Sequence, residues 1–254
     1  MLPDSAYRVG VLCRHNATLL ARDPGPLLSY IVLPMVLMSV LRPLYDAALG
    51  EGSGEQVASG MVVMFSLFAV GVVGTSFLSE QTWHTWPRLC VTPARPVELL
   101  LGKTLPLLAV LVTQQAVLLT FSGVTAGWSI QGPLWLLATV ALAWALCIVA
   151  AGAALATMAR THGQLGTGSD IGAMSLTCLG GALVPLETMG EWARTAAPAS
   201  PGYWGVTAFR SALAGDVRQA VIAAIVLIAT SAALTALAAW RLRKGWGSSS
   251  ATHG

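Results

Sequence analysis

The sequence predicts an all-α integral membrane protein with six transmembrane helices. Three observations carry this. Of 254 residues, 55% are apolar and only 10% are charged, less than half the share in a soluble globular protein, about 25%. Mean hydropathy is +0.70. The apolar runs are continuous, whereas a membrane β-strand alternates over about ten residues. So few charges cannot clothe a water-facing surface at this size. Disorder is excluded, because apolar content is high and net charge is only +3.

The spans are read from the gaps between charges. Residues 26–46 form the first, blurred by Arg42, which must snorkel, find a partner or lie past the bilayer edge. The second is 58–79. Residues 104–159 then run 56 residues without Asp, Glu, Lys, Arg or His, far more than the ~20 that one span needs. This run is therefore a hairpin of two spans, 104–126 and 133–158, turning through the Gly- and Pro-containing segment 127–133. A fifth span is expected at 169–187 and a sixth at 217–240. Small residues such as Gly71, Gly74, Gly152 and Ala153 let helix backbones approach closely in lipid.

Orientation follows from the basic residues. With the N-terminus inside, ten of the 14 Lys and Arg lie on the inner side and four (Arg42, Arg194, Arg210 and Arg218) on the outer. Both termini are then cytoplasmic. Trp83, Trp86, Trp240 and Trp246 fall near the inner boundary, and Trp128, Trp135, Trp192 and Trp204 near the outer one, as aromatic belts do.

The polar segments complete the architecture. Residues 1–25 carry Val9, Leu12, Leu19 and Leu20 on one helical stripe, with Arg8, Arg14 and Arg22 around it. That pattern suits an interfacial helix on the cytoplasmic side. The loop 80–103 is longer than antiparallel helices need and suits a docking element for a cytoplasmic partner. Residues 187–216 are too apolar for a loop and too broken for a span, as expected of an outer helical hairpin dipping into the leaflet. Residues 241–254 form a cytoplasmic tail.

Catalytic patterns are absent from the sequence. The four histidines (His15, His84, His162 and His253) are scattered, and the four cysteines have no metal spacing. Gly102-Lys103-Thr104 ends like a phosphate-binding loop, but position 97 is Val where that motif needs Gly. Asp170 reads as a carboxylate at the start of the fifth span, which the helix dipole explains. Gln114 and Gln115 lie within the third span. Such groups usually bond across helices, and they are also candidates for a substrate path. Basic residues are spread as the positive-inside rule requires, so no nucleic-acid site is expected.

Residues 80–93 read Glu-Gln-Thr-Trp-His-Thr-Trp-Pro-Arg-Leu-Cys-Val-Thr-Pro, and 98–103 read Glu-Leu-Leu-Leu-Gly-Lys. Arg22-Asp23-Pro24 precedes the first span. Gly180-Gly181-Ala182-Leu183-Val184-Pro185-Leu186, Trp192 and Ser200-Pro201-Gly202-Tyr203-Trp204 follow in order. This set resembles the type 2 ABC transporter permeases, and within them the daunorubicin-resistance-like exporters of bacteria. Thr82 and His84 depart from the family's second Glu and its Gly, and Glu191 from its usual Pro.

The resemblance implies a multi-pass permease of the bacterial cell membrane, working as a homodimer or heterodimer. It implies a separate ATPase subunit holding ATP and Mg, so no cofactor in this chain and no enzymatic activity of its own. A lipophilic substrate (drug, antibiotic or lipid-like) would leave along the path. Arg22, Asp23, Glu80, Arg88, Glu98 and Lys103 would form the ATPase-coupling region. The alternatives are an ion-coupled secondary carrier, which needs ionisable groups within its spans, and a membrane-embedded lipid-modifying enzyme, which needs a nucleophile–base set or paired acids.

Overall fold

The computed structural model describes residues 2–22, 25–50, 53–82, 96–127 and 130–249. Nine α-helices are present among them: α1 (Leu2–Arg22), α2 (Gly25–Leu49), α3 (Ser53–Thr82), α4 (Pro96–Ala126), α5 (Leu134–Ala156), α6 (His162–Leu179), α7 (Glu191–Ala196), α8 (Pro201–Ala214) and α9 (Val217–Ser249). Five stretches are long and apolar enough to cross a membrane: Leu28–Ala47, Ser53–Ser79, Leu101–Thr125, Leu134–Ala156 and Val217–Arg241. They match five of the six expected spans, and the long uncharged run is indeed two helices.

The expected span 169–187 requires correction. Its helix, α6, starts at His162 and stops at Leu179, and it is not among the five. Its first half brings in Gly163, Gln164, Gly166, Thr167, Gly168 and Asp170, which dilute the apolar character. Its 18 residues reach about 27 Å, against a hydrocarbon core of about 30 Å. Thr161, in extended backbone, starts the helix by accepting a bond from the Gln164 N–H at 3.2 Å. Gly181, at φ +75°, turns the chain away after it. A gap between charges records where charge is missing, not where the helix lies.

Two other boundaries move. Helices occupy 80–82 and 96–103 of the expected loop 80–103, and 83–95 lie outside the described residues. The expected tail from 241 continues α9 as helix to Ser249.

The bundle is built around α3, which packs on α2, α4, α5, α6 and α8. Glycines permit this crowding. A Cβ on Gly152 of α5 would meet Val73 Cγ1 at 2.6 Å and the Gly74 nitrogen at 3.0 Å. A Cβ on Gly60 would overlap the Ala182 carbonyl. Backbones in lipid gain close packing this way. Trp144 and Phe209, both fully buried, fill the space where α5 and α8 meet α3. By contrast α2 and α9 present exposed apolar rows (Leu28, Val32, Val36 and Val40; Ile222, Ile225 and Ile228), as lipid-facing helices do.

The hairpin expected at 187–216 is observed as broken helix. A 3-10 turn (Leu186–Thr188), α7, a second 3-10 turn (Ala197–Ala199) and α8 follow one another. Its backbone is satisfied internally, as apolar surroundings demand. The buried Ser200 hydroxyl accepts from the Gly202 N–H at 3.1 Å and donates to the Leu176 carbonyl at 3.1 Å. Trp204 Nε1 donates to the Pro198 carbonyl at 2.8 Å. Gly215, at φ +81°, closes α8. The N–H groups of Gln131 and Gly132 reach the Leu213 carbonyl at 3.0 and 3.2 Å, so the residues just before α5 serve the end of α8.

Ser200→Ala is expected to cost about 1–2 kcal/mol, because it removes a helix cap and a bond between segments together. The check is the thermal aggregation midpoint of the detergent-solubilised protein, which should fall. An unchanged midpoint would show that Ser200 does not hold α6 to α8.

The end of α2 and the start of α3 are both tied to the 180–184 bend, and to each other. The Tyr45 hydroxyl donates to the Leu183 carbonyl, and Gln56 Nε2 donates to the Gly181 carbonyl at 2.9 Å. Ser53 Oγ donates to Asp46 Oδ1 at 2.6 Å. Arg42 resolves its three expected options by finding partners. It pairs with Asp46 at 3.4 Å and donates to the Thr125 carbonyl of α4.

Candidate functional site

The expected coupling residues converge only in part. The centre of what the structure brings together is the first two turns of α4, with α1 laid across them. Glu98 is 5% exposed. Its carboxylate accepts a hydrogen bond from the Ser5 hydroxyl of α1 and lies 4.0 Å from Arg8 Nη1. A buried carboxylate needs such donors, since stripping its water is costly. The hydroxyl bond contributes more than the ion pair here, because the Arg8 side chain is 41% exposed and solvent screens it.

One turn on, α1 touches α4 again. Asn16 Nδ2 donates to both the Leu12 and the Gly102 carbonyls, each at 3.1 Å. Gly102 allows this approach, because a Cβ there would press on the Leu12 side chain. Lys103, 7% exposed, places Nζ 5.0 Å from the centre of the Phe77 ring on α3. That is cation–π geometry, and it joins the first turns of α4 to the last turns of α3. Three helices therefore meet at one end of the bundle, flanking residues 83–95.

Of the other expected coupling residues, Arg22 is the exposed last residue of α1. Glu80 belongs to the final turn of α3, and its side chain lies outside the description. Asp23 and Arg88 lie outside the described residues. Lys103, one of the expected coupling residues, is buried between helices. Sequence reasoning missed Ser5, Arg8, Asn16 and Gly102. The signal for Gly102 was a glycine inside a helix facing an amphipathic one. No sequence signal marked Asn16.

Gln114 and Gln115 are both buried in α4. Gln114 Nε2 donates to the Tyr30 carbonyl of α2 at 3.0 Å, the cross-helix bond its position suggests. It also borders a small cavity of about 30 Å³ with Tyr30, Ala69, Val72 and Leu107, room for about one water. Among the described residues, neither polar end of Gln115 has a hydrogen-bond partner. Asp170 departs from its expected place: it is the ninth residue of α6, not a residue of its first turn. The helix dipole, which fades within a turn, does not account for it. Among the described residues, no three His, Cys, Asp or Glu gather as metal ligands.

These features define a polytopic helical membrane protein in which α1 is clamped to α4 at one end of the bundle. The sequence matches the ABC-2 type transporter family over residues 7–214, most of the chain, and the protein belongs to that family. It is a membrane permease domain, the transport part of an assembly that pairs with an ATPase subunit. No curated protein matches the chain.

Proposed function

We propose that this permease forms the path for a lipophilic substrate out of a bacterial cell, driven by ATP bound on its partner subunit. In this reading α6 is the fifth of six crossings, both termini are cytoplasmic, and two permease copies flank the path. The positive-inside bias supports the orientation. The order of the loop and hairpin motifs supports the daunorubicin-resistance-like subtype.

The observation that carries the proposal is the clamp of α1 on α4 through Glu98 and Asn16. It makes the helix that leads into the first span and the base of the third one mechanical piece. An ATPase pressing on 83–95, with Arg22, Asp23, Glu80 and Arg88 at its margins, moves that piece. Motion requires that ATP bind one conformation more tightly than the other. Gln114, bonded to the Tyr30 carbonyl, then fixes α4 against α2, and the buried Gln115 remains a candidate for the substrate path.

The test is transport in inverted vesicles. With the ATPase subunit present, ATP should drive accumulation of a fluorescent lipophile. The purified chain alone should hydrolyse no ATP. Accumulation driven by an imposed proton gradient without ATP would overturn the proposal in favour of a carrier.

A further inference from the structure

We propose that the cavity between the start of α3, the bend after α6 and the second half of α8 binds an aminoethyl phosphate group, a primary ammonium joined to a phosphate by a short linker. An ethanolamine phospholipid carries this group, and so does its free headgroup. The inference goes beyond the transport reading and does not depend on it.

Close backbone contacts build the cavity. A Cβ on Gly180 would lie 2.7 Å from the Tyr203 nitrogen, so the bend touches the first turn of α8. Further along α8 a space of about 280 Å³ opens, bordered by Gly181, Thr207, Arg210 and Ser211 with Glu55 and Asp216. That is at the small end of ligand clefts, about 300–1,000 Å³, and suits a headgroup better than a drug-sized body. Residues 207, 210 and 211 share one face of α8. Glu55 stands in the first turn of α3. Gly215, at φ +81°, ends α8 and sets Asp216 at the start of α9. The next residue of α3, Gln56, holds the Gly181 carbonyl at 2.9 Å, so two walls are fixed before any ligand arrives.

The charges are divided across this space. Glu55 is half-buried and forms no ion pair among the described residues. It therefore shares the cavity with Arg210 without pairing to it. Asp216 Oδ1 accepts the Gln219 N–H at 3.1 Å and so serves chiefly to cap α9. An arginine fork matches phosphate oxygens, and the hydroxyls of Thr207 and Ser211 add donors on the same face. A carboxylate on the opposite wall suits an ammonium with three donors.

The lining also selects the kind of ammonium. None of the described residues that border the cavity is aromatic. A quaternary ammonium donates no hydrogen bond and is held by aromatic faces, so ethanolamine is favoured over choline. Depth agrees with a headgroup. Glu55 lies about 33 Å along α3 from Phe77, so the cavity is at the end of the bundle away from the α1 clamp. In the proposed orientation that end meets the headgroups of the outer leaflet.

The experiment has two arms, both on the full chain with its ATPase subunit and without nucleotide. In phosphatidylcholine nanodiscs, calorimetry compares O-phosphoethanolamine with phosphocholine. In detergent, native mass spectrometry compares retention of phosphatidylethanolamine, phosphatidylcholine and phosphatidylglycerol of matched chains. The wild type should prefer the ethanolamine form in at least one arm, and the arm that shows it names the source. Glu55→Gln should lower that preference about tenfold, and Glu55→Asp should keep most of it. Thr207→Val should weaken ethanolamine and choline forms alike, because it acts at the phosphate.

Equal binding of ethanolamine and choline forms in both arms would overturn the proposal. So would an unchanged preference in E55Q while the complex stays monodisperse. Phosphatidylglycerol retained as well as the ethanolamine lipid would also overturn it, since Arg210 would then be a site for anions alone. Because no ATP is present, each of these results leaves the transport reading to its own test.

Discussion

Gly60→Val is expected to abolish recovery of the folded bundle. Any Cβ at position 60 overlaps the Ala182 carbonyl, and that carbonyl cannot step aside. The bend carrying it is held by Tyr45 on Leu183 and by Gln56 on Gly181. Gly181 itself, at φ +75° with Leu186 packed against it, has no room to rearrange. Overpacking against side chains typically costs about 1–3 kcal/mol. Here the obstacle is backbone and the bend is tied on both sides, so about 3 kcal/mol or more is expected.

The measurement is the monodisperse peak of the tagged protein in fluorescence-detected size exclusion, against temperature. Gly166→Ala serves as the control. Position 166 lies within α6 with nothing within 4 Å of a built Cβ, so alanine there should be neutral or stabilising by up to about 1 kcal/mol. A Gly60→Val protein as heat-stable as wild type would refute the close approach of α3 to the 180–184 bend.

Glu98→Ala is expected to uncouple transport from ATP hydrolysis while the bundle remains folded. The substitution leaves the Ser5 hydroxyl and Arg8 without their buried acceptor, at a cost of about 1–3 kcal/mol. That cost falls on the docking of α1, which supplies both the Ser5 hydroxyl and Arg8. The α1 helix should therefore loosen first. Limited proteolysis should cut within α1 faster, and substrate moved per ATP hydrolysed should fall about tenfold. Arg8→Ala should do less, since its charge is partly solvated. Normal coupling in Glu98→Ala, with α1 still protected, would remove Glu98 from the relay.

Much of the fold was legible because lipid imposes a simple grammar. A chain that must hide every backbone N–H and C=O from hydrocarbon has to form helices, and scarcity of charge marks where they run. That logic located five apolar helices and the amphipathic α1. It failed at α6, where the helix accepts Asp170, Ser169 and several glycines. Part of this is tolerated because one side of α6, with Ser169, packs on α3, and hydropathy along the chain cannot see that contact. The candidate site was half legible for a similar reason. Glu98 and Lys103 stood out as charges beside a span, but their partners Ser5 and Phe77 lie 93 and 26 positions away.

The amino-acid order alone determined membrane residence, the helical class, the hairpin within 104–159 and the sign of the charge asymmetry. Each depends only on how much polar surface a local stretch offers to water or lipid, a property of neighbours along the chain. Tertiary structure alone decided that α3 is the hub, that α1 is clamped to α4, and that the 180–184 bend is tied to Tyr45 and Gln56. Those outcomes depend on which backbones can approach within a glycine's width. They also depend on which distant hydroxyl or ring meets a desolvated charge, and no periodicity in the sequence encodes that.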